Sequence, residues 1–233
     1  MSDGRWRRRL RNRAEGDRYR YTMIILYTWP TSNGRKISIM LEEVGLPYRA
    51  MPINIGADEQ FTPEFLAISP NNRIPAIVDD EVEGGPLRIF ESGAILFYLA
   101  EKTGRLLPRP MQQRMAALAW LNWQVSELGP MCFELGFFAV RSPEKVPSVT
   151  AQLTTEVDRL LHVMDRRLST VPFLGGEEYS IADISAYPGV TAATTYLSKP
   201  LQDTTAAIPN VHRWLDAIGM RPAVKRGMTV PTL

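Results

Sequence analysis

The residue types best suited to covalent or metal chemistry are scarce in this chain. Its 233 residues include one cysteine, Cys132, and two histidines, His162 and His212. A lone cysteine excludes an intrachain disulfide, a Cys-x-x-Cys redox pair and a cysteine zinc site. Two isolated histidines are a poor start for a metal centre, so no metal is expected. Two other arrangements can do recognition chemistry. Ile74-Pro75 immediately precedes Ala76-Ile77-Val78, an apolar run that reads as a strand. A cis proline at such a junction exposes the N–H and C=O of the residue before it for pairing with an extended peptide. Glu91-Ser92 opens a helix-like stretch. The free N–H groups of a helix start attract a carboxylate, and an adjacent acid pairs with an ammonium, so the two could hold both ends of an amino acid. Each arrangement also has an ordinary reading: a proline capping a strand, and a helix cap with a dipole-compatible acid.

The elements that must position these groups follow from periodicity. Ile24-Ile25-Leu26-Tyr27 is a continuous apolar run, as in a strand buried on both faces. Asn33 to Val44 carries Ile37, Met40, Leu41 and Val44 on one helical face, with Gly45 and Pro47 as stop signals. Tyr48 to Ile55 reads as a second strand, and Thr62-Pro63-Glu64 as a helix opening. Ala76–Val78 and Leu87-Arg88-Ile89-Phe90 form two strands joined through Gly84-Gly85, and Ser92 starts a helix that ends at Gly104. A βαβ unit, a short helix and a ββα unit are the order of the thioredoxin fold, in which the proline at the Pro75 position is cis. After the proline-bearing stretch Arg105–Pro110, everything reads as helix. Met111 to about Glu127, Val149 to Leu168 and Ile208 to Met220 are the clearest segments, and Ser180-Ile181-Ala182-Asp183 resembles a capping box. The predicted class is α/β plus all-α: a thioredoxin-like domain over 23–107, then an all-helical domain over 111–233.

Residues 1–22 hold eight arginines against three acids, a net +5, which leaves −3 for the rest of a chain whose total is +2. A weakly acidic body is a poor nucleic-acid binder, and the basic arm reads as a solvated, disordered tail. No apolar run reaches the length of a membrane span, and the N-terminus lacks the apolar core of a signal peptide. A cytoplasmic location, with neither nucleic acid nor membrane as partner, is the expectation.

The run Tyr27-Thr28-Trp29-Pro30-Thr31-Ser32-Asn33-Gly34-Arg35-Lys36 resembles the glutathione-site segment of cytosolic glutathione transferases. Ser69-Pro70-Asn71-Asn72-Arg73-Ile74-Pro75-Ala76 and Phe90-Glu91-Ser92-Gly93-Ala94-Ile95 resemble two further parts of that site. The similarity extends over about Met23 to Arg221, takes in Leu128-Gly129-Pro130-Met131 and the Leu174–Asp183 segment, and is greatest to the nu-class bacterial enzymes that reduce disulfides with glutathione. The resemblance implies that Thr31 and Asn33 stabilise the glutathione thiolate, with Ser32 and then Tyr27 as rivals. It implies that Gln60 and Arg73 hold the glycyl end, that the Ile74 backbone pairs with the cysteinyl part, and that Glu91 and Ser92 grip the γ-glutamyl end. Glutathione as co-substrate, a small disulfide or electrophile as second substrate, and a homodimer are implied with them.

Three activities fit the resemblance: a glutathione-dependent disulfide reductase, a transferase conjugating apolar electrophiles, and a glutathione-binding regulator with little turnover. Two departures from the nu-class pattern bear on the second substrate. An arginine common after the Pro147-type break is replaced by Gln152, and the segment after Met131, often containing Gln and His, is Cys132-Phe133-Glu134-Leu135-Gly136-Phe137-Phe138. A more apolar pocket follows. Cys132 reads as a small buried hydrophobe rather than a nucleophile.

Overall fold

The computed structural model describes residues 23–233, and the arginine-rich segment 1–22 lies outside the described residues. A four-stranded sheet runs in the order β2-β1-β3-β4, from β1 (Ile24–Thr28), β2 (Tyr48–Pro52), β3 (Ala76–Asp79) and β4 (Leu87–Phe90). β1 pairs parallel with β2 and antiparallel with β3, which pairs antiparallel with β4. This is the thioredoxin-like topology expected from the element order.

The sheet sorts its side chains by the two-residue strand period. Ile24 and Leu26 of β1 join the large core shared with the helices, whereas Ile25 and Tyr27 pack on the opposite face with Ile53, Phe65, Ala76 and Val78. The Tyr27 ring is buried against Phe65, with centroids 6.2 Å apart, and so points away from the helix that follows β1.

That helix, α1 (Ser32–Val44), starts one residue earlier than its periodicity predicts, because Thr31 is the cap: its Oγ1 accepts from the Gly34 N–H at 3.2 Å. It ends at Gly45, whose left-handed backbone (φ 72°) lets its N–H reach the Leu41 carbonyl. Gly34 is required by close approach, since a Cβ there would lie 2.3 Å from the Trp29 carbonyl oxygen and 2.4 Å from Thr28 Oγ1. The start of α1 is thus pressed onto the loop leaving β1. β2 stops at Pro52 rather than Ile55. Asn54 turns the chain there, its Oδ1 accepting from the Gly56 N–H at 3.0 Å. The short α2 (Pro63–Leu66) and α3 (Ser92–Thr103) complete this half.

The second half is helical throughout. α4 (Met111–Trp123) does not end near Glu127 as its pattern suggests. It continues through a π turn (Gln124–Leu128) into α5 (Gly129–Gly136) and a second π turn (Phe137–Arg141). The wide turn absorbs Pro130: the Gly129 N–H reaches the Gln124 carbonyl five residues back, and Pro130, in the first turn of α5, has no N–H to satisfy. Then follow α6 (Pro147–Leu168), α7 (Ile181–Thr195), α8 (Gln202–Ala206), α9 (Pro209–Gly219) and α10 (Pro222–Gly227).

The capping box at α7 is present, and Asp183 does more than cap. Its buried carboxylate accepts from the N–H groups of Ser180 and Leu174, from Ser180 Oγ and from Trp214 Nε1, all within 3.2 Å. α1 lies between the halves, against α7 and α10, with Ser38 Oγ donating to the Gly227 carbonyl at 2.6 Å. One continuous apolar core runs from β1 and α1 through α7 and Trp214. The position of α1 is therefore fixed from both sides.

Candidate functional site

A cavity of about 370 Å³ lies where the two halves meet. Of the residues singled out from sequence, it brings together Asn33, Arg73, Ile74, Glu91 and Ser92. Thr31 and Gln60 are outside its lining.

The α1 wall supplies Asn33, exposed one residue into the helix, where the N-terminal dipole favours an anion. The hydroxyls of Thr31 and Ser32 each have a partner, Thr31 as acceptor and Ser32 as donor. The Thr31 oxygen caps the helix, and Ser32 Oγ donates to the Pro188 carbonyl of α7 at 3.4 Å.

The sheet side supplies the backbone. The Ile74–Pro75 peptide bond is cis, as expected, and Ser69 Oγ donates to the Arg73 carbonyl at 2.8 Å, holding the loop that leads into it. Gln60 has its Nε2 3.4 Å from Asp58 Oδ1, and its buried Oε1 has no partner among the described residues. Glu91 adopts φ 68°, a left-handed value that carries strain for a residue with a Cβ. Its carboxylate stays outward and uncommitted to the helix cap, and among the described residues it accepts only a 3.4 Å hydrogen bond from Asn71 Nδ2. A carboxylate presented at a helix start can pair with an ammonium, and the free N–H groups beside it can pair with a carboxylate.

The cavity also holds Lys36, which none of the sequence motifs assigns a role. It lines the cavity at 2% exposure and donates to Gln124 Oε1 at 2.7 Å, an oxygen that also accepts from Ser185 Oγ at 2.5 Å. Burial pulls its ammonium from the ordinary 10.5 down to about 7, with the Glu91 carboxylate opposing that pull. The available signal was spacing: Asn33, Lys36 and Met40 fall on one face of α1 at i, i+3 and i+7, and a lysine in that stripe is out of place. Its partner Gln124 depends on the π turn, which no local pattern announces.

The helical wall consists of Val125, Gly129, Pro130, Phe133 and Glu134. Cys132 is beside this wall but not part of the lining, and burial pushes its thiol up to about 12. It is protonated, and so a weak nucleophile, at neutral pH. Gln152, at the place of the usual arginine, is exposed and also outside the lining.

A thioredoxin-like sheet and a helical domain meeting across a cavity lined from both sides is the architecture of a known class of two-domain enzymes. The chain belongs to the glutathione S-transferase family of enzymes: residues 22–101 match the family's N-terminal domain and residues 128–222 its C-terminal domain. It is 47% identical over 208 residues to the disulfide-bond oxidoreductase YfcG of Escherichia coli, covering 88% of this chain and 94% of that one. Among solved structures, a glutathione transferase from Pseudomonas putida with one glutathione disulfide bound per subunit superposes with a TM-score of 0.86 at 40% identity, over 92% of this chain and 94% of the other. One from Burkholderia graminis with two glutathione molecules per subunit gives 0.86 at 41% identity, over 91% and 89%.

Proposed function

We propose that the protein is a glutathione-dependent disulfide-bond reductase. The observation that carries this reading is the pairing of an anion-favouring helix start, Asn33 on α1, with a cavity whose lining contains no cysteine. The reacting sulfur then belongs to bound glutathione. Glu91 and the N–H groups at Ser92 hold its γ-glutamyl ammonium and carboxylate, the Ile74 backbone pairs with its cysteinyl part, and Arg73 and Gln60 take the glycyl carboxylate. Asn33 Nδ2 donates to the sulfur, and the Thr31 hydroxyl, whose oxygen caps α1, keeps its proton free to donate as well. The Lys36 ammonium, under Asn33 in a site of low polarity, adds positive potential where the thiolate forms.

The reaction is two exchanges. Glutathione thiolate attacks one sulfur of a disulfide, forming a mixed disulfide and expelling a thiolate; a second glutathione thiolate then attacks the mixed disulfide, giving glutathione disulfide and the second thiol. Relatives named as disulfide-bond oxidoreductases support this choice. A transferase that conjugates apolar electrophiles is the second reading, favoured by Phe133 in the helical wall. Steady-state assays with a small-molecule disulfide and with an aryl halide separate the two. Turnover of the disulfide, falling about a hundredfold or more in Asn33→Ala, is the expected result. Unchanged disulfide reduction in Asn33→Ala would show the thiolate site to be misassigned, and tight glutathione binding without either activity would favour a regulator.

The enzyme acts in this reading as a cytoplasmic homodimer. Phe97 of α3 and Met111 and Met115 of α4 are exposed apolar side chains available for the contact, and Arg114 of α4 lies over the Phe97 ring at 5.7 Å. Among the described residues no helix is long and apolar enough to cross a membrane.

A further inference from the structure

Lys36 is buried in the α1 wall of the cavity with a neutral partner: its Nζ donates to Gln124 Oε1 at 2.7 Å. Ser185 Oγ of α7 donates to the same oxygen. An ammonium carries three N–H donors, and the described residues take up one of them. The charged groups that share the cavity lining are Arg73 before β3, Glu91 at the start of α3 and Glu134 of α5. Glu91 is the one that raises the proton affinity of Lys36, and burial outweighs it, pulling the ammonium down to about 7. A buried ammonium without an anion against it is costly. Above neutral pH the group therefore rests largely as an amine, with a lone pair able to receive a proton.

A thiolate supplies the counter-charge that the protein withholds. Asn33 and Lys36 stand three residues apart on one face of α1, and both line the cavity. A sulfur held by Asn33 lies in the space that Lys36 borders. Resting on the reading that Asn33 holds the sulfur of bound glutathione, we propose that Lys36 is the base of the site, taking the thiol proton as the thiolate forms. The S–H bond breaks and its electron pair stays on sulfur, while the amine lone pair forms a new N–H bond on Nζ. The site and ligand together keep their net charge, so no proton is lost to solvent. When the thiolate attacks a disulfide, its charge leaves with the expelled thiolate. The ammonium, again without a counter-ion, returns the proton to that thiolate by way of solvent and becomes an amine once more.

Counting protons tests this without turnover. Protons released on binding glutathione are measured by calorimetry in buffers of different ionisation enthalpy, and thiolate gained is read from its ultraviolet absorbance. The same proton count with S-methylglutathione, which makes the same contacts but has no thiol proton, is subtracted. At about pH 8 the wild type should release close to zero protons per thiolate gained; at about pH 6, where Lys36 is already charged, the ratio should rise toward about one. Lys36→Met should form less thiolate and release about one proton for each at both pH values. Lys36→Arg keeps a cation but cannot accept a proton, so it should form thiolate and still release about one. A wild-type ratio near one at pH 8, or a ratio near zero that persists in either variant, would overturn the proposal while the thiolate site stood. No thiolate on the wild-type enzyme at either pH would overturn the reading beneath it.

Discussion

On the thioredoxin-like side of the cavity, the polar groups sit at the starts of elements: Asn33 one residue into α1, Ile74 before β3, Glu91 and Ser92 at the start of α3. On the helical side, the lining comes from the middle of one long helix that is bent through π turns, and it is mostly apolar. The first wall uses backbone termini, whose dipoles and free N–H groups suit a ligand with a set pattern of charge. The second uses side chains alone, which can be exchanged without moving the chain.

The comparison can be broken most forcefully at Glu91. Glu91→Gln keeps the size and the strained backbone but removes the charge that pairs with an ammonium. It should raise the KM for glutathione about thirtyfold, in line with a charge-assisted hydrogen bond, and leave kcat for bound glutathione much less affected. An unchanged KM would mean that the α3 start does not grip the γ-glutamyl end.

Lys36 gives the next largest effect, and its sign distinguishes function from packing. Folding lowers its pKa from 10.5 to about 7, so between those values the unfolded chain holds the proton more tightly. Stability therefore rises with pH across that window and carries the full burial penalty below about 7. Lys36→Met should stabilise the fold by about 2–4 kcal/mol at pH 6, less at pH 9, because Gln124 Oε1 keeps its hydrogen bond from Ser185. The same variant should lose about tenfold in kcat/KM. Denaturant melts at the two pH values and a rate assay check both; a variant that is less stable and fully active would make the lysine structural.

Smaller effects sort the hydroxyls at the start of α1. Thr31→Val should cost about 1 kcal/mol of stability through loss of the cap, with a severalfold loss of rate. Ser32→Ala should change either by less than about twofold, because its hydroxyl is turned toward Pro188. A larger rate loss at Ser32 than at Thr31 would reverse the assignment.

Much of the first wall was legible in the sequence because its signals are local. A cap before a helix, a proline before a strand and an acid before a helix start are each read within a few residues. Gln60 and Thr31 were singled out but lie outside the cavity lining, since a loop side chain's direction and a cap's geometry are not encoded in spacing. The Glu91 backbone strain and the Lys36–Gln124–Ser185 contact were hidden for a different reason. They join α1 to residues 88 and 149 positions later in the chain, or express a φ value no residue type demands. The helical wall was read only as more apolar. That Glu134 faces the cavity depends on the first π turn, which shifts the register of the helix that follows it.

The most direct test is the pKa of the glutathione thiol on the enzyme, followed by the ultraviolet absorbance of the thiolate in wild type and in Asn33→Ala. Wild type should hold the thiol at least about one unit below the free value near 8.5, and Asn33→Ala should return it by about a unit toward that value. The same lowered pKa in both proteins would contradict the claim that Asn33 ionises the bound sulfur.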